Sequence, residues 1–146
     1  MSVAVSVATD GVRVPVARAR IEALVRGVLR AERVTDAMIS VACLSPAAIA
    51  RLNRVHLGHR GPTDVIAFAY TGAVATIGDI YICPDVARRN AAAWGIGVRE
   101  EFARVVVHGV LHALGYDHPQ DEAARTGSPM WRRQEALVRR LTRRAA

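Results

Sequence analysis

The sequence predicts an α/β fold of the α+β kind: one domain, residues 1–146, with a four-stranded mixed sheet packed by about five helices, one of them buried at the centre. Three observations predict it. Strand-like and helix-like segments follow the order β-α-β-α-β-β-α-α-α, which implies a mixed sheet with helices packed on it. The chain has 146 residues, 51% of them apolar, without internal repeats or a low-complexity linker; that supports one core and is short for two domains. No apolar run reaches membrane-spanning length.

Taken in order, Ser2 to Ala8 alternates Val with small residues and reads as a strand before a turn at Asp10-Gly11. Pro15 opens a helix whose Ile21, Leu24, Val25, Val28 and Leu29 keep helical spacing until Val34-Thr35-Asp36 breaks it. Met38 to Leu44 is a mostly apolar run of strand length. Ser45-Pro46 starts the next helix, with Ser as N-cap and Pro at the first position, and that helix stops near Gly58. Asp64–Tyr70 and Ile77–Cys83 read as strands joined by a turn at Thr71-Gly72. Pro84-Asp85 begins a helix that Gly95 ends, and a further helix follows from about Val98. Pro119 to Ser128 reads as a polar, mobile loop, and Pro129 starts a last helix running to about Arg144.

The helix from Val98 is apolar over most of its circumference through Phe102, Val106, Val107, Val110, Leu111, Ala113 and Leu114, so it belongs in the middle of the fold. Its polar stripe holds Glu101, Arg104, His108 and His112. His108 and His112 are four apart and share a face. Gly115 can take the left-handed conformation that ends a helix, which turns His118 back beneath the other two. Three histidines at this spacing outweigh the reading of imidazoles satisfied in a core. Three neutral imidazoles leave an ion its charge and an open position, the description of a catalytic zinc site with one Zn2+ per chain, in a cleft at the end of the central helix. The expected nucleophile is metal-bound water. The proton acceptor stays open among Asp64, Asp79 and Asp117, with a ligand-orienting role equally open for Asp117.

The order His, +4 His, +7 Gly, +10 His resembles that of metzincin peptidases, yet Gly109 stands where they carry the Glu base. The whole run His108-Gly-Val-Leu-His112-Ala-Leu-Gly-Tyr-Asp-His118 is similar to the signature of the YbeY-type endoribonucleases, bacterial rRNA maturation factors. Thr63-Asp64-Val65-Ile66-Ala67-Phe68, Gly78-Asp79-Ile80-Tyr81-Ile82-Cys83 and Leu52-Asn53 extend the resemblance over about residues 38–138. It implies zinc-dependent cleavage of single-stranded RNA, in maturation of the 16S rRNA 3′ end and in ribosome quality control, with the small ribosomal subunit or its proteins as partner. The family often carries an activity-bearing Arg where this chain has Leu57. Arg60, three residues on, is the candidate replacement, with an ordinary loop arginine as the competing reading. A metallopeptidase and a non-catalytic, zinc-stabilised ribosome-assembly factor are the alternatives.

The net charge of +7, from twenty arginines and no lysine, favours polyanionic partners such as RNA. On the last helix Met130, Trp131, Leu137, Val138 and Leu141 share one face. Arg132, Arg133, Arg139, Arg140, Arg143 and Arg144 occupy the other, either a solvated face or a phosphate-contacting ridge. The N-terminus lacks a basic leader. Cys43 and Cys83 are isolated and read as reduced core residues. A cytoplasmic location without membrane contact is expected.

Overall fold

The computed structural model describes residues 2–70 and 75–143. Its elements are β1 (Val3–Ala8), α1 (Arg18–Ala31), β2 (Ala37–Cys43), α2 (Pro46–Leu57), β3 (Val65–Tyr70), β4 (Thr76–Ile82), α3 (Pro84–Trp94), α4 (Val98–Ala113), α5 (Glu122–Arg125) and α6 (Pro129–Thr142). The sheet runs β1-β2-β4-β3. The first three of these strands are parallel, and β3 joins β4 antiparallel with Val65 opposite Ile82. The sheet is therefore mixed, as the element order implied.

Local chemistry explains most boundaries. The Ser45 hydroxyl accepts from the Ala48 N–H at 3.2 Å, and Gly58 closes α2 in the left-handed region at φ 69°. Ser128 caps α6 in the same way, accepting from the Trp131 N–H at 3.2 Å. Helix α1 starts at Arg18, three residues after the expected Pro15. The expected polar loop between His118 and Pro129 contains the one-turn helix α5, a sixth helix too short to leave an apolar period. The Thr71-Gly72 turn and Arg144 lie outside the described residues.

Residues alternate across the sheet with the period of two that strands impose. Val65, Ala67, Ile80 and Ile82 join Ile39, Val41 and the apolar faces of α1 and α4 in the main core. Ile66, Phe68 and Tyr81 point the other way and pack with Ile49 and Leu52 of α2. Cys43 and Cys83 are free and buried, and burial pushes the Cys43 thiol up to about 11, leaving it unreactive.

Two glycines set the distance between α4 and the sheet. A Cβ on Gly109 of α4 would lie 2.7 Å from Ile80 Cγ2, and a Cβ on Gly78 of β4 would lie 2.6 Å from Ala113 Cβ. Helix and strand therefore approach more closely than side chains would permit. The approach fixes the depth at which the histidines of α4 sit.

Candidate metal centre

His108 and His112 stand one turn apart near the C-terminal end of α4. The helix ends with the Tyr116 N–H donating back to the Leu111 carbonyl at 3.0 Å, while Gly115 takes φ 100°. That conformation turns the chain. The Asp117 carboxylate accepts from the His118 backbone N–H at 2.8 Å, so Asp117 shapes the loop in place of orienting a ligand ring. The three imidazole centroids end up 4.7, 4.8 and 5.1 Å apart. One nitrogen from each ring lies within 4.8 Å of the other two.

The other nitrogen of each ring decides the chemistry. His108 Nδ1 lies 2.6 Å from the Gln134 side-chain carbonyl oxygen. His112 Nδ1 lies 3.0 Å from the Tyr116 carbonyl, and His118 Nδ1 lies 3.0 Å from the Pro119 carbonyl. A carbonyl oxygen only accepts, so each Nδ1 carries the proton and each Nε2 keeps its lone pair. Burial lowers the pKa of His108, and burial with the neighbouring His108 and His118 takes His112 down to about 4. Both rings are therefore neutral at pH 7, the form that binds a cation. The residues fit an imidazole-ligated divalent ion.

Gln134 is itself held. Its amide nitrogen donates to Glu135 at 3.1 Å, and Glu135 takes a two-pronged ion pair from Arg104 at 2.8 and 2.9 Å. Arg104 also bonds Glu101, which is 2% exposed, and Glu100. A continuous line of bonds thus runs from the His108 ring to a buried carboxylate two turns earlier on α4.

Two cavities meet at the histidines. One of about 360 Å³ lies beside His108 and His118, between Trp94 of α3 and Trp131 of α6. Another of about 270 Å³ is lined by all three histidines with Asn53, Leu57 and His59. Asp64 and Arg125 line both. Burial pushes the Asp64 carboxyl above the usual carboxylate range, with the Arg125 charge among the influences pulling it back.

The Endoribonuclease YbeY family model matches residues 7–142. The chain belongs to the YbeY endoribonuclease family. A Frankia casuarinae protein named Endoribonuclease YbeY is 36% identical, over 92% of this chain and 73% of its own. Its namesake in Treponema pallidum is 33% identical, over 92% of this chain and 87% of its own. The solution structure of a Thermotoga maritima protein shares the fold at a TM-score of 0.62, with 24% identity over 95% of this chain and 88% of that one.

Other candidate residues fall in different settings. Arg60 is exposed and lines a separate pocket with Arg51 and Arg54, away from both histidine cavities. Asp79 accepts from the Ser40 and Tyr70 hydroxyls, which ties it to the sheet. On α6, Arg133 pairs with Glu32 at 2.6 Å, and Glu32 also accepts from the Tyr116 hydroxyl at 3.0 Å. Arg133 therefore braces the turn before His118. Arg132 donates to the Gly127 carbonyl, whereas Arg139 and Arg140 are exposed. Sequence reasoning missed Gln134 and Arg125. Gln134 left a usable signal, a polar residue on the apolar face that Met130, Leu137 and Val138 define. Arg125 left none, because nothing periodic surrounds it.

Proposed function

We propose that this chain is a zinc-dependent endoribonuclease that cuts single-stranded RNA. The observation that carries the reading is three histidine Nε2 lone pairs, their tautomers fixed by three carbonyl acceptors, converging on a cleft in a chain of this family. His108, His112 and His118 would hold the ion. When bound, it supplies Lewis acidity toward water and a phosphoryl oxygen. Asp64, the carboxyl lining both cavities, is the proposed proton acceptor, and burial raises its basicity above that of an ordinary carboxylate. Arg139 and Arg140 are proposed phosphate contacts along α6.

The proposed setting is 16S rRNA 3′-end maturation and ribosome quality control in the cytoplasm, with the small ribosomal subunit as partner. The family membership supports it. No helix among the described residues is long and apolar enough to cross a membrane. The peptidase alternative loses ground at Gly109, whose Cβ direction leads into Ile80 and Val65 of the sheet. A Glu there would meet the core before any substrate.

The test is cleavage of a structured RNA bearing a single-stranded tail, wild type against His112→Ala, with metal content and thermal unfolding measured on the same samples. Cleavage by the wild type and none by a folded, metal-poor variant is the expected result. Equal cleavage by both would refute the reading. No cutting by the metal-loaded wild type, together with its unfolding on metal removal, would favour the zinc-stabilised assembly factor.

A further inference from the structure

We infer that Arg125 grips the RNA phosphodiester, its guanidinium holding a non-bridging phosphate oxygen in the cleft beside the histidines. The inference rests on the endoribonuclease reading for its ligand and on this chain's own geometry for the residue.

Arg125 ends the single turn α5, in the segment joining His118 to α6. Its backbone is tied at both sides, the N–H to the Asp121 carbonyl at 2.9 Å and the carbonyl to the Ser128 N–H at 3.1 Å. The side chain is thus delivered from a fixed point into both cavities. Its Nε is buried and has no hydrogen-bond partner, the one such side-chain atom among the described residues. Its Nη2 reaches only the Gln120 carbonyl at 3.4 Å, beyond the usual range for such bonds. A buried cationic donor without an acceptor is costly unless a ligand supplies one.

The other cations near the histidines are already engaged. Arg104 lines the first cavity, but three carboxylates occupy it. Arg125 is the arginine lining the second cavity, and no carboxylate pairs with it among the described residues. Leu57 lines that same cavity and offers no charge. A guanidinium fork matches two phosphate oxygens, and preorganised donors of this kind stabilise charge developing on phosphorus.

The experiment uses the zinc-loaded full chain and a labelled single-stranded RNA. Wild type, Arg125→Ala, Arg125→Lys and the double variant Arg125→Ala with Leu57→Arg are compared. Zinc content and melting temperature are measured on each. Arg125→Ala is expected to keep its zinc and lose about 100-fold in kcat. Its slope of log Kd against log salt is expected to flatten by about 0.7, one phosphate contact on a single strand. Arg125→Lys should recover part of the slope and less of the rate. Leu57→Arg, entering the same cavity, should restore part of both. If Arg125→Ala fails to fold, Arg125→Lys alone decides through its rate. Unchanged rate and slope in a folded variant would overturn the inference. Arg125-dependent RNA binding by a wild type that cuts nothing would refute the endoribonuclease reading and leave the phosphate contact standing.

Discussion

Replacing Gly109 by Ala tests how tightly the site is set against the sheet. The added methyl would stand 2.7 Å from Ile80 Cγ2 and 3.2 Å from Val65 Cγ2, where carbon atoms prefer about 3.5–4.0 Å. Ile80 is 1% exposed and lies on an inner strand. Its β-branched side chain has little rotamer freedom, so α4 itself must lift. Overpacking of this kind costs about 1–3 kcal/mol. Ala returns about 1 kcal/mol through helix propensity. Because Ile80 cannot turn away, the upper part of the overpacking range, about 2–3 kcal/mol, applies. The expected balance is a loss of about 1–2 kcal/mol, a fall in Tm of roughly 3–6 °C for a chain of this size. The displaced helix carries His108 and His112 with it, so metal affinity should fall as well. Gly27→Ala is the control. Its methyl would lie 2.8 Å from Leu141 Cδ2, nominally as bad. Leu141 is the flexible end of a half-buried side chain near the close of α6, and it can turn away. Gly27→Ala should therefore be neutral or up to about 1 kcal/mol stabilising. Thermal and urea unfolding of both variants, with a chelator-competition titration, read the difference. Equal stability changes in the two, or Gly109→Ala at or above wild type with unchanged metal affinity, would refute the packing account.

Three further outcomes are expected. Gln134→Leu removes the acceptor for the His108 Nδ1–H, and metal affinity should drop about 10–100-fold in the same titration without loss of fold; undiminished affinity would show that the bond does not orient the ring. Arg104→Met strips the counter-charge from Glu101 and Glu135 and should cost about 3 kcal/mol in urea unfolding at pH 7. The loss should shrink as pH falls, because burial already raises the Glu101 carboxyl and protonation relieves it; a loss that grows in acid would contradict this. In the metal-free protein, burial holds His112 near 4, below the ~6.5 of an exposed imidazole. The unfolded chain then binds more protons between those values. The contribution is fully present above about pH 6.5 and drains away toward pH 4. Stability that stays flat from pH 7 to 5 in chelator-treated samples would count against it.

Much of the fold was legible because its signals are local. Ser45-Pro46 and Gly58 bracket α2 by capping chemistry that acts within one turn, and Ile21 to Leu29 marks α1 by spacing alone. The convergence of His108, His112 and His118 was legible for the same reason, since a helix and one left-handed glycine suffice to gather them. What the sequence hid is long-range. The partner of Arg133 is Glu32, 101 residues away, so a stripe of arginines on a helical wheel overstated the free charge. The acceptor for His108 comes from α6, 26 residues on, and no spacing rule links the two. Arg60, four-residue helix α5 and Arg125 show the limit most plainly. Short polar segments carry no periodicity, so which of their side chains turns inward depends on packing elsewhere.

The three carbonyl acceptors on the Nδ1 atoms also bear on when metal is acquired. Gln134, Tyr116 and Pro119 hold the rings through bonds internal to the protein, so the rotational entropy of the ligands is spent during folding and not on ion capture. Should these rings take up an ion as proposed, loading would be a reaction of the native state, in contrast to small zinc modules that fold only around their ion. Ions would then be traded without unfolding. Selection would pass to whatever divalent pool surrounds the finished protein, with copper ahead of zinc, and zinc ahead of manganese, at equal free concentration.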